Sequence, residues 1–470
     1  MVDVQIKEKF VAIVGAENYD DSKAGCLVYS YDATPNFQSM PDAVISPRNA
    51  QEISQILKIC SSRGIPIVPR GSGTNLCAGT CPTEGGIVLL FKHMNKIIEI
   101  DEENLTATVQ PGVITLDMIN QVEARGLFYP PDPSSMKIST IGGNINENSG
   151  GLRGLKYGVT RDYVMGLEAV LANGDIIRTG GKLAKDVAGY DFTRLLVGSE
   201  GTLGIITEAT LKLIPLPEAK QTMLALFQDL EQAAKSVSKI IAEKIIPATL
   251  EFLDQPTLKA VEDFAQIGLP TDVKAVLLIE QDGPVDVVEK DMQKMAEICQ
   301  KQGAVSVQLA KSEQEAEALR TARRAALSAL ARLKPTTILE DATVPRSEIA
   351  NMVNAINEIS QKYGLSICTF GHAGDGNLHP TCPADARDKN EMERVEKAFE
   401  EIFIKAIELG GTITGEHGVG VMKAPYLELK LGQAGIDAMK AVKTGLDPNN
   451  ILNPGKIFAK DNRKRVVVTQ

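Results

Sequence analysis

The sequence is short of several things, and each shortage excludes something. Basic residues are outnumbered: 50 Lys and Arg against 60 Asp and Glu give a net charge of −10. With no long basic run, nucleic acid is excluded as the main partner. The basic stretch at residues 460–465 is too short to alter that balance. No apolar run approaches the roughly 20 residues that a membrane span requires, and the opening Met1-Val-Asp-Val-Gln-Ile-Lys lacks the charged-then-apolar layout of a secretory signal. The seven cysteines are odd in number and scattered, unlike a secreted disulfide framework, and no Cys-x-x-Cys-x-x-Cys run is present to hold an iron–sulfur cluster. A reducing cytoplasm is the expected location. Cys77 and Cys81 form the one close pair, without the two further ligands of a structural zinc.

Histidine is the scarcest titratable residue, with four in 470 positions. Three of them fall in two glycine-rich segments, Gly371-His372-Ala373-Gly374-Asp375-Gly376-Asn377-Leu378-His379 and Gly415-Glu416-His417-Gly418. Imidazole and carboxylate together suit zinc, iron or manganese, and a further imidazole beside a bound cation is a ready general base. Asp375 and Asn377 are expected to shape the turn by side-chain-to-backbone bonds. The fourth, His93, reads as surface or strand-end filler.

An apolar fraction of 43% and this length suit two or three globular domains. From about residue 42 to 214 short β-rich runs alternate with turns and helices, with a helix expected over 50–61 after Ser46-Pro47. This reads as an α+β domain of mixed sheets. Pro215 and Pro217 mark a boundary. Beyond it the pattern strand, helix, strand occurs twice, over 222–252 and 275–309, which predicts a ferredoxin-like split sheet with helices on one face. Ser312-x-x-Glu315 has capping-box spacing and should open a helix carrying Arg320, Arg323 and Arg324. Further helices over 346–364 and 387–410 are expected around the two histidine segments.

Two glycine clusters remain. Pro69-Arg70-Gly71-Ser72-Gly73-Thr74-Asn75 follows a predicted strand, and successive backbone amides in such a turn can hold phosphate. Thr140-Ile-Gly142-Gly143-Asn144, followed by Asn148-Ser-Gly150-Gly151, reads as backbone packed against a flat or phosphorylated ligand. Neither fits the strand-then-G-x-G-x-x-G pattern of a nicotinamide dinucleotide site.

These segments stand in one fixed order with Pro131-Asp132-Pro133-Ser134-Ser135, Lys156-Tyr157-Gly158, Asp186-Val-Ala-Gly-Tyr-Asp191 and Leu196-Val-Gly-Ser-Glu-Gly-Thr-Leu-Gly204. In that order they resemble the flavin domain of the vanillyl-alcohol oxidase superfamily. The two histidine segments and Leu446-Asp-Pro-Asn-Asn-Ile-Leu-Asn453-Pro-Gly-Lys456 narrow the resemblance to the FAD-linked D-2-hydroxyacid dehydrogenases, a group of D-lactate dehydrogenases and the D subunit of glycolate oxidase. It spans nearly the whole chain.

The resemblance implies a two-subdomain FAD-binding domain over 1–215, a ferredoxin-like substrate or cap domain with the metal motif over 216–410, and a C-terminal helical segment over 411–470 that returns to the flavin. It implies FAD, held without a covalent bond, against Pro69, Arg70, Gly71, Ser72, Gly73, Thr74, Asn75, Gly142 and Gly143. Asp132, Ser135, Asn148, Gly151 and Ile206 would line the rest, and Asn453 would reach toward the isoalloxazine. A divalent metal would fall on His372, His379 and Glu416, with His417 as base and Arg323 holding the substrate carboxylate. Arg320, Arg324 and Arg332 compete for that last role, and Lys423 is either near the substrate or solvated.

The implied reaction is oxidation of D-lactate, or of a related acid such as glycolate, to the 2-oxo acid by hydride transfer to flavin N5. The electrons would go to a separate acceptor, an electron-transferring flavoprotein, an iron–sulfur subunit, a quinone or a cytochrome. Two other readings stand beside it: a metallohydrolase whose glycine loops are structural, and a non-catalytic flavoprotein subunit of an oxidase complex.

Overall fold

A computed structural model describes residues 2–458; the basic stretch at 460–465 lies outside the described residues. The chain builds three main sheets. In the first, Ala43–Ile45, Ile87–Leu90 and Ile67–Arg70 pair in parallel, with Tyr19–Asp20 antiparallel at the edge. The helix Ala50–Arg63 makes the crossover. Its N-cap is Asn49, which accepts from the Glu52 amide at 2.9 Å, rather than the expected Ser46-Pro47 corner. Ile53, Ile56 and Leu57 of this helix are fully buried against the sheet, as a 3.6-residue apolar period requires.

The second sheet is antiparallel, in the order Ile97–Asp101, Thr106–Val109, Ile205–Lys212, Val164–Val170, Ile176–Gly180. The strand Ile205–Lys212 carries a register shift between Ile206 and Glu208.

The third sheet begins as expected. Ser306–Leu309, Ala219–Phe227, Ala275–Gly283 and Thr249–Asp254 stand in the antiparallel order of a ferredoxin-like unit. It then continues through Cys368–His372, Asn377–Ala384 and Thr336–Leu339, with Ala342–Thr343 also on Asn377–Ala384. Helices cover both faces, not one. Met223, Ala225 and Phe227 pack with Val237, Met295 and Phe399 on one side; the intervening Leu224 and Leu226 pack with Leu258 and Ala326 on the other. The strands are apolar at consecutive positions because both of their faces are buried. The helix Gln255–Ala265, which the repeat pattern did not announce, supplies part of that second cover.

Ser312 opens the helix Glu313–Arg324 as its spacing predicts: its side chain accepts from the Glu315 amide at 3.2 Å, and Glu315 Oε2 accepts from the Lys311 amide at 2.7 Å. After the helix Leu427–Leu446 the chain returns to the first sheet. Leu452 bridges Ile67 in parallel, and buried Lys443 donates to the carbonyls of Thr202 and Leu452, each at 2.8 Å. No helix among the described residues is long and apolar enough to cross a membrane.

Candidate functional site

His372 ends the strand Cys368–His372 and His379 lies on Asn377–Ala384. The tight turn between them sets Phe370 opposite His379 and Asn377 opposite His372. The two imidazoles are therefore diagonal neighbours on one face. Glu416 arrives on a separate loop. Its Oε1 is 3.0 Å from His372 Nε2 and 3.4 Å from His379 Nε2, and one ligand atom from each of the three residues lies within 4.8 Å of the others. Two neutral imidazole nitrogens and a carboxylate at this spacing can hold a divalent ion with positions left open. Asp375 does shape the turn, accepting from the Asn377 amide at 3.2 Å.

The strand Thr249–Asp254 pairs Phe252 with Gly371, so Glu251 comes level with His372. Glu251 Oε1 is 2.7 Å from His372 Nδ1, and its Oε2 is 2.5 Å from Arg323 Nη2. This carboxylate fixes the ring so that Nε2 faces Glu416, the usual support behind a metal-binding histidine. Burial works against charge on His372, yet Glu251 and Glu416 hold its pKa well above the ordinary value. A bound cation would take the place of that proton.

His417 stacks on His379 with ring centroids 5.1 Å apart. Its Nδ1 is 3.6 Å from Asp341 Oδ1. Burial pushes its pKa down to about 4 against the pull of Asp341, so the ring is neutral and able to accept a proton. Arg323 lies over the Phe370 ring, 4.8 Å from its centroid, and its buried Nε and Nη2 make no aligned hydrogen bond. Nη2 is paired with Glu251, but Nε has no partner, and a guanidinium on a cleft wall suits an anionic ligand. The competing arginines have partners away from the triad. Arg320 is buried among Glu280, Glu313 and Glu317; Arg324, though on the same wall, meets Asp132 at 3.0 Å; Arg332 lies over Phe264.

The same cleft runs onto the early loop: Gly71, Ser72, Gly73, Thr74, Asn75 and Ser135 share its lining with Arg323, His379, Glu416 and His417. The adjoining inner recess takes in Pro69, Arg70, Gly71, Gly142, Gly143, Ile206 and Asn453. Among the described residues, none of the backbone amides of Ser72, Gly73, Thr74, Asn75 and Leu76 donates to a protein acceptor. Such a row of free donors fits a pyrophosphate. At Gly71 a side chain would begin 2.3 Å from Thr140 Oγ1, so the early loop packs its bare backbone on the Thr140 side chain. Asn453 donates to the Gly79 and Glu200 carbonyls at 2.9 and 2.7 Å, leaving its buried Oδ1 without a partner.

Asp132, Asn148 and Gly151 stand beside the cleft and not on its wall. Asp132 is engaged by Arg324 and by the Arg153 amide, Asn148 accepts from the Arg161 amide at 2.9 Å, and Gly151 packs on Asp132. His93 pairs with Asn18 at 2.7 Å, away from this site. Lys423 is neither solvated nor on the wall; it is buried against Asp341 and Glu340. Sequence reasoning did not find Glu251, Asp341, Glu147 or Glu200. Glu147 is half-buried on the cleft wall with its Oε2 buried and unpartnered, and burial, then neighbouring Glu200, push its pKa well up.

Residues 216–457 match the family described as FAD linked oxidases, C-terminal domain, and residues 41–180 match the FAD binding domain. The glycolate oxidase subunit GlcD of Bacillus subtilis (strain 168) is 77% identical over 467 residues, 99% of this chain and 99% of that one. A D-lactate dehydrogenase from Anaerostipes hadrus is 35% identical over 436 residues, 90% of each chain. In fold the chain is similar to p-cresol methylhydroxylase, with a TM-score of 0.79, 19% identity and 96% of each chain covered.

Proposed function

The chain belongs to the FAD-linked oxidase family and is an FAD-linked oxidoreductase of the glycolate oxidase subunit and D-lactate dehydrogenase type; on that premise we propose that it is a metal-dependent dehydrogenase oxidising a small D-2-hydroxy acid, D-lactate or glycolate, to the 2-oxo acid. The observation that carries this reading is the cleft itself. One wall brings together His379, Glu416, the neutral imidazole of His417 and the guanidinium of Arg323, with His372 completing the triad behind it; the other is the amide-rich loop at 71–76. Family membership removes the hydrolase reading, and the intact triad favours catalysis over a purely structural subunit.

When bound, FAD supplies a two-electron acceptor and the divalent ion a Lewis acid that makes an alcohol more acidic. In this reading the loop residues Pro69, Arg70, Gly71, Ser72, Gly73, Thr74 and Asn75, with Gly142, Gly143, Ser135, Ile206 and Asn453, hold FAD. Asp132, Asn148 and Gly151 support that wall from behind. His372, His379 and Glu416 hold the metal. Arg323 offers two parallel donors to the substrate carboxylate, and Phe370, Leu327 and Leu339 keep water from the wall around it. The Nδ1 of His417 faces Asp341, which leaves Nε2 to take the hydroxyl proton.

Non-covalent FAD is supported by the two cysteines of the early loop. Cys77 and Cys81 are buried, and Cys77 Sγ is turned toward the Gly418 carbonyl at 3.2 Å. The chain carries no cysteine cluster for an iron–sulfur centre, so its electrons go to a separate protein, an electron-transferring flavoprotein or an iron–sulfur subunit. That the B. subtilis relative is named a subunit supports such a partner. Residues 1–215 would serve the flavin, 216–410 the substrate and metal, and 411–470 the closure between them, in the cytoplasm.

The test is the visible spectrum of the purified protein without oxygen as D-lactate, L-lactate and glycolate are added, before and after metal removal. Bleaching of the flavin band by D-lactate or glycolate, stopped by chelation and restored by Mn²⁺ or Zn²⁺, is the expected result. A flavin band that none of the acids bleaches would sink the substrate reading.

A further inference from the structure

The loop that carries Glu416 and His417 is held by carboxylates from two directions. Glu200, from the flavin half, accepts from the amides of Val419 at 2.6 Å and Gly420 at 2.7 Å. Asp341, from the metal-bearing sheet, takes the other end. Its Oδ2 accepts from the amides of Gly415 at 2.6 Å, Glu416 at 2.8 Å and His417 at 3.3 Å. Its Oδ1 pairs with the ammonium of Lys423, which also reaches Glu340 Oε2 at 3.2 Å. Asp341 and Lys423 are both fully buried, and neither belongs to the cleft lining.

We propose that Asp341, locked in place by Lys423, is the positioning residue that sets the metal ligand Glu416 and the base His417 as one unit; this rests on the metal-dependent reading above. Three consecutive amides converge on a single oxygen. A carboxylate satisfies them with charge-assisted bonds while its other oxygen receives the lysine. Asparagine cannot do both, because its amide nitrogen must face either the converging N–H groups or the ammonium. Lys423 in turn could not be buried without this counter-charge. Asp341 is one residue along the chain from Glu340 and more than seventy from the loop it holds, so the sheet, not the loop, dictates where Glu416 and His417 stand.

The test uses flavin-loaded protein stripped of metal, as wild type and as Asp341→Asn, Lys423→Met and Lys423→Arg. Mn²⁺ affinity is titrated with no hydroxy acid present, alongside flavin absorbance, melting temperature, kcat and KM. Asp341→Asn should bind Mn²⁺ about 10–100-fold more weakly, the range for outer partners of metal ligands. Its kcat should fall more than its KM rises, with flavin absorbance retained. Lys423→Met should move the same way, and Lys423→Arg should recover part of the loss. Unchanged Mn²⁺ affinity in Asp341→Asn overturns the proposal, as does a variant that only melts earlier. If Asp341→Asn does not accumulate as folded protein, Lys423→Met against Lys423→Arg decides by the same titration, and equal affinities overturn it. Wild-type protein that binds no Mn²⁺ or Zn²⁺ is a separate failure: it sinks the metal reading, and this inference with it.

Discussion

Glu251 stands level with His372 on the neighbouring strand and holds its Nδ1 at 2.7 Å, while the second oxygen of the same carboxylate lies 2.5 Å from Arg323. One buried side chain thus sits behind both the triad proposed to hold a metal and the arginine proposed to meet the substrate. Replacing it should damage both functions together. Glu251→Gln keeps the shape but loses the charge, so Mn²⁺ affinity should fall about 10–100-fold and KM for D-lactate or glycolate should rise. Metal titration and steady-state kinetics on the same preparation check this. A change in only one of the two would mean that the carboxylate serves one partner alone.

Metal binding should depend on pH in a stated direction. Glu251 and Glu416 raise the pKa of His372 well above the ordinary value despite its burial, so near neutrality the metal-free triad holds a proton that a cation must displace. Raising the pH removes that competitor. Mn²⁺ affinity should therefore increase from pH 6 to pH 8, with release of about one proton at pH 7, measurable by titration in buffers of differing ionisation enthalpy. An affinity flat across this range would show that His372 is neutral before the metal arrives.

His417 behaves in the opposite sense. Burial holds its pKa near 4, and a cation at the triad would depress it further, so it stays a competent base at all ordinary pH values. With saturating metal, kcat/KM for the hydroxy acid should show no acid limb near 6.5, where an ordinary histidine would titrate. His417→Ala should keep its flavin and lose about 10²–10⁴-fold in turnover. Near-normal oxidation by that variant would remove His417 from the chemistry.

The parts of this site that were legible in the sequence are those built locally. His372 and His379 share one glycine-rich turn, Glu416 and His417 are adjacent, and the amide-rich loop announces itself by Gly71 and Gly73. Ser312 with Glu315 marked a helix start for the same reason: the partners are three residues apart. The supports were not legible, because each is joined to the site only by folding. Glu251 meets His372 across 121 positions and Glu200 meets Val419 across 219. Lys423 looked ambiguous because its counter-charge, Asp341, lies 82 positions away, between the strands Thr336–Leu339 and Ala342–Thr343. The third sheet was half legible: two strand-helix-strand repeats gave the ferredoxin-like part. Its extension by the hairpin that carries His372 and His379 depends on the pairing of Phe252 with Gly371, which has no local signature.

Arg323 and Arg320, on one helix, should separate by experiment. Arg323 lies on the cleft wall with its Nε unpartnered and its Nη2 on Glu251, so Arg323→Ala should raise KM for the hydroxy acid strongly, besides leaving Glu251 without its cation. Arg323→Lys should not restore it, since a single ammonium cannot offer two parallel bonds. Arg320 is instead committed to Glu280, with side chains 5% and 6% exposed. Removing it strands a buried carboxylate, which costs about 3–5 kcal/mol. Arg320→Ala should therefore lower the melting temperature and leave KM near the wild-type value in the protein that remains folded. If Arg320→Ala were the variant with the raised KM, the substrate assignment would pass to the wrong side of that helix and Arg323 would be a structural residue.

Gly142 gives the sharpest test of the flavin cradle. A side chain there would begin 2.5 Å from Pro111 Cβ and 3.0 Å from that residue's Cα and carbonyl oxygen, while the Gly142 amide already donates to the same oxygen at 2.8 Å. The obstruction is backbone and a rigid ring, so no flexible side chain can yield. A methyl group must push the start of the helix Ile141–Glu147 off Pro111 and into the recess that Gly142 and Gly143 line. Gly142→Ala should therefore lose flavin, read as the ratio of visible to ultraviolet absorbance, while its Mn²⁺ affinity stays near that of flavin-free wild type because the triad stands on a different sheet. Gly143 provides the contrast: an added methyl there meets only Thr140 Oγ1, at 3.3 Å. Gly143→Ala should fold with an unchanged melting temperature and bind FAD more weakly only because its methyl narrows the recess. Full flavin in Gly142→Ala would show that the Pro111 contact gives way and that the closeness of the two loops is not what holds the cofactor.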